Sequence, residues 1–155
     1  MGEETAYRIR EMKACDIAAC SLIDKEAFYD PWSNGLWVDE LNNGLAAYLV
    51  LEQEGQVVGY GGFWLVVDEA QVTRIAIGSA YRRQGLGRHL MDALINSAWK
   101  LGAVSMSLEV RTSNLAARTL YEACEFQPKG IRPRYYADNH EDALIMWLYK
   151  NGELA

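Results

Sequence analysis

Residues 70–111 read as a strand, a glycine-rich turn, a long helix and a second strand, and that succession constrains the chain more than any other feature. Along Gln84–Leu101, Leu86, Leu90, Leu94, Ala98 and Leu101 recur at helical spacing, an apolar stripe that must be buried against something. Gly102 stands where such a helix would end with a left-handed residue. Beyond it, Ser105–Arg111 alternates Met106, Leu108 and Val110 with Ser107, Glu109 and Arg111, a strand with one apolar face. Before it, Ala70–Ile77 reads as another strand. A βαβ crossover of this kind requires a sheet beneath the helix.

The flanking segments fit the same plan. Residues 14–29 place Ile17, Cys20, Ile23 (or Leu22), Ala27 and Phe28 at roughly helical spacing, with Asp16 as N-cap, and Pro31-Trp32 breaks that helix. A short helix begins after Ser33 and ends near Asn42-Asn43-Gly44. Ala47–Glu52 and Val57–Val67 are strand-like and joined by Gln53-Glu54-Gly55-Gln56, a hairpin signal. Asn114–Cys124 is helical, with Leu115, Ala116, Leu120 and Ala123 apolar, and residues 142–149 make a last strand. The expected order is αα-βββ-α-β-α-β, an α/β (α+β) fold with one mixed, mostly antiparallel sheet and helices on both faces. In 155 residues there is no linker, internal repeat or low-complexity tract, so 1–155 is expected to be a single domain.

Composition removes several function classes. Lys and Arg number 15 against 21 Asp and Glu, a net charge of −6, which argues against direct nucleic-acid binding. No apolar run is long enough to cross a bilayer. The opening MGEETAYRIR carries charges where an export signal would be apolar, and Ala6 stands where a myristoylation site wants a small hydroxyl residue. A cytoplasmic protein with no membrane contact, monomeric or weakly dimeric, is expected. Cys15, Cys20 and Cys124, with His89 and His140, give neither a disulfide framework nor a zinc spacing, so no metal is expected.

Chemistry concentrates at Arg82-Arg83-Gln84-Gly85-Leu86-Gly87-Arg88, between the strand Ala70–Ile77 and the long helix. Glycines let a ligand approach the backbone, first-turn N–H groups have no partner inside the helix, and the helix dipole favours an anion. No Gly-Lys-Ser/Thr follows, which excludes a Walker A loop, and Leu90 stands where a dinucleotide fingerprint needs its third glycine. On its residues alone the turn is either a phosphate site or a helix start with solvated arginines.

The turn resembles the acyl-CoA pyrophosphate loop of the GNAT N-acetyltransferases, (Q/R)-x-x-G-x-(G/A), with Arg82, Gly85 and Gly87 on the pattern. Leu108-Glu109-Val110-Arg111-Thr112-Ser113-Asn114 and Leu120-Tyr121-Glu122 resemble the RimI-type ribosomal-protein-alanine branch of that superfamily. So do Pro31-Trp32-Ser33, Asp68-Glu69-Ala70, Arg132-Pro133-Arg134-Tyr135-Tyr136 and Glu141-Asp142-Ala143, landmarks that run from about residue 7 to residue 149. The resemblance implies acetyl-CoA as co-substrate and, as partner, the N-terminal peptide of a ribosomal protein (small-subunit protein eighteen) acetylated on its alanine. It implies a CoA site formed by Ile75, Ala76 and Ile77 of a bulged strand, by Arg82, Arg83, Gln84, Gly85, Leu86, Gly87 and Arg88 of the turn, and by Asn114. It sets Trp32, Arg134, Tyr135 and Tyr136 beside the peptide and assigns Glu109 to the general base and Tyr121 to the proton donor. A broader N-terminal or lysine acetyltransferase, or a non-catalytic acyl-CoA-binding module, would carry the same loop. One departure is Glu125, which replaces the glycine that usually ends the preceding helix with φ > 0.

The residue chemistry is compatible with these roles and leaves alternatives open. A free α-amine has a pKa of about 7.7–8.0, so it needs only modest help from a base. Glu109, opposite the apolar face of its strand, is either that base or a surface carboxylate paired with Arg111. Tyr121 follows Asn114 by two helical turns, which brings phenol and amide to one helix edge. The phenol either protonates a departing thiolate or is half-buried with a backbone partner, and Asn114 is also a natural N-cap. Arg132–Tyr136 either stacks on a peptide or is a solvated connection.

Overall fold

The computed structural model describes residues 6–151; residues 1–5, which hold the Met-Gly start and the two glutamates of the charged opening, and residues 152–155 lie outside it. In chain order the elements are β1 (Tyr7–Glu11), α1 (Ile17–Ala27), α2 (Asn34–Leu41), β2 (Ala46–Gln53), β3 (Gln56–Val66), β4 (Glu69–Ile77), α3 (Leu86–Lys100), β5 (Ser105–Arg111), α4 (Leu115–Ala123), β6 (Gln127–Arg132) and β7 (Ala143–Tyr149). They build one seven-stranded sheet in the order β1-β2-β3-β4-β5-β7-β6. Every neighbouring pair is antiparallel except β4 and β5, the pair that α3 connects.

Side-chain alternation splits the core between the two faces. Tyr48, Val50, Tyr60 and Ala76 point toward α1 and α2, where they pack with Ile17, Cys20, Ile23 and Trp37. The opposite face meets α3 and α4: Met106, Leu108, Val110 and Met146 pack with Met91, Leu94, Ala98 and Tyr121. The stripe Leu86, Leu90, Leu94 and Ala98 is buried as its spacing requires, whereas Leu101, expected to extend it, caps the helix and is exposed. Gly102 follows with φ +103, the left-handed helix end anticipated from sequence.

The expected elements appear in the expected order, and two edge strands join them. β1 (YRIRE) is short and charged; Arg10 pairs with Asp16 at 2.8 Å and Glu52 at 3.2 Å, and Tyr7 stacks on His89 at 4.6 Å. β6 (QPKGIR) contains a proline and a glycine and is exposed along its whole length, so only its pairing with β7 makes it a strand. In α1 it is Ile23 that is buried, and Leu22 faces solvent. Asp16 stands before α1 but does not cap it; its carboxylate accepts instead from Arg10 and from the Lys13 N–H, contacts that hold it below the usual carboxylate range. Glu125 adopts φ +73, so the chain keeps the glycine-like helix end without the glycine.

Candidate active site

β4 and β5 run side by side only where Glu69, Ala70 and Gln71 face Ser105, Met106 and Ser107. Beyond that point the parallel strands pair no further, although β4 continues to Ile77 and β5 to Arg111. The register of β3 on β4 jumps from Gly62↔Arg74 to Phe63↔Val72, so Thr73 is a bulge residue at the point where the wedge opens. The inner edge of β4 along Arg74–Ile77 therefore offers main-chain donors and acceptors to an extended, amide-bearing ligand. The side chains here are turned away: Ala76 packs under α1 and α2, and Ile75 and Ile77 pack beneath α3.

The turn after β4 is held at both ends. Ser79 donates from its N–H (2.8 Å) and hydroxyl (3.1 Å) to Glu26 at the end of α1, which lowers the pKa of that carboxyl. Arg82 donates from Nε to the Ile77 carbonyl at 3.0 Å. Arg83 (φ +65) and Gly85 (φ +77) reverse the chain, and Gly85 is the N-cap of α3. A Cβ on Gly85 would find nothing within 4 Å, so its conformation, not crowding, calls for glycine and the space above it is open. Gly87 differs: a Cβ there would lie 3.3 Å from Leu120 Cδ2, so this glycine lets α4 approach α3. Leu86 buries its side chain and offers only its N–H, while Arg82, Arg83, Gln84 and Arg88 stay exposed. Exposed guanidinium groups around free helix N–H groups fit a pyrophosphate.

Glu109 lies farther along β5, its side chain 32% exposed, with Oε1 3.4 Å from Arg132 Nε. The Tyr135 hydroxyl donates to Oε2 at 3.4 Å, a long bond that leaves the carboxylate accessible to another donor. The expected Arg111 partner is otherwise engaged: Arg111 pairs with Asp138 (3.0 Å) and Glu141 (3.6 Å) and lies 4.0 Å over the Tyr136 ring. Tyr135 and Tyr136 meet edge to face at 5.1 Å. Burial pushes the Tyr136 phenol up to about 12 and raises that of Tyr135, which also feels Glu109 and, across the cleft, Asp30. The loop that carries Tyr135 thus overhangs Glu109, and the charge of Asp30, on the loop that carries Trp32, is felt at Tyr135.

Tyr121 is buried, and no hydrogen bond to its hydroxyl is seen among the described residues, so the alternative of a backbone partner finds no support there. Burial raises its pKa, reinforced by Tyr136 and Cys124. Asn114 does cap α4, Oδ1 accepting from the Ala117 N–H at 3.1 Å. Trp32 is half-buried, edge-on to Trp37 at 4.8 Å, and its N–H donates to Asp24 Oδ2 at 2.7 Å. Arg134 is exposed with φ +51, and its N–H donates to Asp142 Oδ1 at 2.9 Å. Among the described residues no group of three or more His, Cys, Asp and Glu is placed to hold a metal ion. No helix among them is long and apolar enough to cross a membrane. A cavity of about 810 Å³ between α3, the end of α4 and the end of β7 touches the phosphate-fitting turn only at Arg88 and contains neither Glu109 nor Tyr121.

Sequence reasoning did not single out Asp24, Asp30 or Arg74 among the residues that hold the loops, and it placed Arg111 only as a partner for Glu109 and Glu141 only within a landmark. A signal existed for two of them. Asp24 falls one turn after Cys20 on the apolar face of α1, and Arg74 interrupts the strand Val72–Ile77, so each is a charge in a core pattern that must find a partner.

Known proteins agree with this geometry. The acetyltransferase (GNAT) family model matches residues 15–126. A Bacillus subtilis (strain 168) protein, provisionally named a ribosomal protein bS18-alanine N-acetyltransferase, is 43% identical over 96% of this chain and 99% of its own length. The ribosomal protein bS18-alanine N-acetyltransferase of Escherichia coli (strain K12) is 37% identical over 90% of this chain and 95% of its own. The crystal structure of the ribosomal-protein-S18-alanine N-acetyltransferase from Escherichia coli superimposes with a TM-score of 0.86 at 35% identity, covering 97% of this chain and 96% of that one. With its wedge between β4 and β5, its glycine-built turn and these relatives, the chain belongs to the GNAT family of acetyltransferases and is an acetyl-CoA-dependent N-acetyltransferase.

Proposed function

We propose that this enzyme acetylates the N-terminal alanine of a ribosomal protein of the bS18 kind, in the cytoplasm where such proteins are made. The observation that carries the reading is the position of Glu109, a reachable carboxylate on the far arm of the wedge, beneath the loop that carries Tyr135. The names of relatives that align over nearly the whole chain supply the substrate class.

In this reading the β4 edge at Ile75, Ala76 and Ile77 holds the pantetheine arm by main-chain hydrogen bonds. The N–H groups of Gly85, Leu86, Gly87 and Arg88, with Arg82, Arg83 and Gln84 around them, hold the pyrophosphate, and Asn114 contributes from the start of α4. Trp32, Arg134, Tyr135 and Tyr136 line the peptide side. Glu109 takes the proton of the substrate ammonium, directly or through a water. The freed amine forms its bond to the acetyl carbonyl carbon as the carbon–sulfur bond breaks; Tyr121 gives its proton to the departing sulfur, and the second proton, shed by the acylated nitrogen, restores the Tyr121 phenol through solvent. Burial keeps the phenol protonated in the resting enzyme, which makes it a hydrogen-bond donor toward the sulfur before charge develops there.

The test compares peptides beginning with Ala, peptides beginning with Ser, and amino-blocked peptides carrying a lysine, each with acetyl-CoA. Preference for the Ala peptide by tenfold or more in kcat/KM is expected. Turnover of the lysine peptide alone would replace the N-terminal reading with a lysine one, and tight CoA binding without turnover would leave only an acyl-CoA-binding module.

A further inference from the structure

The loop that carries Tyr135 over Glu109 and the loop that carries Asp30 and Trp32 are each fastened to the sheet by one arginine, and the two arginines come from the two strands that diverge. Arg74 rises from β4 beside the bulge, its guanidinium 4.3 Å from the Phe28 ring centroid and 4.8 Å from that of Trp32. Its Nη2 donates to the Asp30 carbonyl at 2.9 Å and to Asp30 Oδ1 at 3.1 Å, while Nη1 donates to Asp24 Oδ1 at 2.7 Å. Asp24, fully buried, accepts the Tyr60 hydroxyl on Oδ1 at 2.5 Å and the Trp32 N–H on Oδ2. The loop between α1 and α2 is thus gripped by ring faces, a carbonyl, an N–H and a carboxylate at once.

Arg111 repeats the device on β5. It lies over Tyr136, pairs with Asp138 and Glu141, and donates from Nη1 to Asn139 Oδ1 at 3.3 Å. Glu141 also accepts the Ser113 N–H at 2.7 Å and the Thr112 hydroxyl at 3.2 Å, which ties the loop between β6 and β7 to the end of β5. A guanidinium is suited to such a task because its flat face stacks while its in-plane N–H groups pair.

We propose that Arg74 and Arg111 are positioning residues for the amine substrate, each holding one wall of the acceptor cleft in its binding form before the peptide arrives. The proposal rests on reading that cleft as the acceptor site. Stability alone accounts poorly for the Arg74–Asp24 pair, because a buried ion pair is commonly matched or bettered by apolar residues of similar size. What apolar residues would not reproduce is the simultaneous grip on Trp32, Asp30 and Phe28. A wall ordered in advance spares the peptide the entropy of ordering it, so loosening a clamp should weaken peptide binding and leave the donor side alone.

The experiment uses the full-length protein with Arg111→Gln and Arg111→Lys, since Arg111 is partly exposed and its loss should not unfold the core. Arg111→Gln is expected to raise the KM for an Ala-starting peptide about tenfold with the KM for acetyl-CoA within twofold, the scale of a few side chains left to be ordered on binding. Arg111→Lys, which keeps the charge but not the planar fork, should fall between. Hydrogen exchange supplies a readout free of activity: the Tyr136 and His140 amides, bonded to Glu141 O at 3.2 Å and Tyr136 O at 2.9 Å, should exchange faster in Arg111→Gln, with α3 unchanged. For the other clamp Arg74→Gln risks misfolding by stranding Asp24, so Asp30→Ala removes the Oδ1 contact at an exposed residue while the carbonyl contact stays, and should raise peptide KM by less than Arg111→Gln does. A folded Arg111→Gln protein with wild-type peptide KM overturns the proposal whether or not its loop exchanges faster. If the wild-type protein turns over no amine peptide at all, the function proposed above fails; peptide affinity by calorimetry then replaces KM, and equal affinity in wild type and Arg111→Gln overturns the clamp as well.

Discussion

In the proposed reading the donor side of the wedge is built chiefly from main-chain atoms, with the exposed arginines of the turn around them, and the acceptor side from side chains. Arg74–Arg88 is one continuous stretch whose apolar side chains are buried behind the β4 edge and whose turn depends on two left-handed residues, Arg83 and Gly85. The acceptor side gathers Asp30 and Trp32, Glu109 and Arg111, and Arg132–Asp142 from segments far apart in the chain. A backbone site tolerates side-chain changes that leave φ and ψ alone and fails when the conformation is disturbed. A side-chain site fails one contact at a time.

Glu109→Gln should produce the largest effect and the sharpest separation of the two sides. Turnover should fall by roughly 10²-fold or more, the scale of a lost general base, with acetyl-CoA affinity nearly unchanged. Wild-type turnover across pH 6 to 9 would show that solvent or another group takes the proton. Gly85→Val attacks the donor side. Its native φ of +77 suits a branched residue badly, and the new side chain would fill the open space above the turn. CoA affinity measured by calorimetry should weaken by more than about tenfold, and unchanged affinity in a folded variant would remove the pyrophosphate from this turn.

Tyr121→Phe comes next, because the phenol lies between the two sides. Turnover is expected to drop about tenfold with both KM values little changed, at the low end of what positioned proton transfer contributes. Stability should hold, since no intraprotein hydrogen bond to the hydroxyl is seen among the described residues. A structural hydroxyl would instead lose about 0.5–1.5 kcal/mol in a denaturant melt with normal kcat.

The smallest expected effect is a pH dependence confined to the acceptor side. Hydrogen bonds from Ser113, chiefly, hold the Glu141 carboxyl down at about 2 in the folded protein. A carboxyl depressed on folding adds stability that is complete above its unfolded pKa of about 4.3 and lost as pH falls toward its folded one. Melts of wild type between pH 5 and pH 2 should therefore slope more steeply than those of Glu141→Gln. Parallel slopes would show that this anchor does not hold the loop in solution.

The donor side was legible in the residues because it is local. Helical spacing, an alternating strand and glycines between them are consequences of nearest-neighbour geometry, and they foretold β4, the turn, α3 and β5 together. Even the odd residue obeyed: Glu125 took the left-handed conformation that its place at the end of α4 demands. Glu109 and Tyr121 were assigned by the family resemblance; the strand face and the helix edge were compatible with those roles and left a structural reading of each open.

What their residues could not announce were the edge strands and the clamps. QPKGIR has no alternation and holds a proline and a glycine, yet it is a strand because β7 presents unpaired main-chain groups beside it. YRIRE becomes a strand through pairing with β2 and the ion pairs of Arg10. Glu109 and Arg111 are two residues apart on one strand face, and local spacing would pair them; the folded chain instead brings Arg132 from β6 to Glu109 and Asp138 and Glu141 to Arg111. Local sequence dictates backbone conformation because dihedral preferences and periodicity act within a few residues. Which charge finds which partner depends on surfaces that meet only after the sheet has formed, and that was decided by the tertiary structure alone.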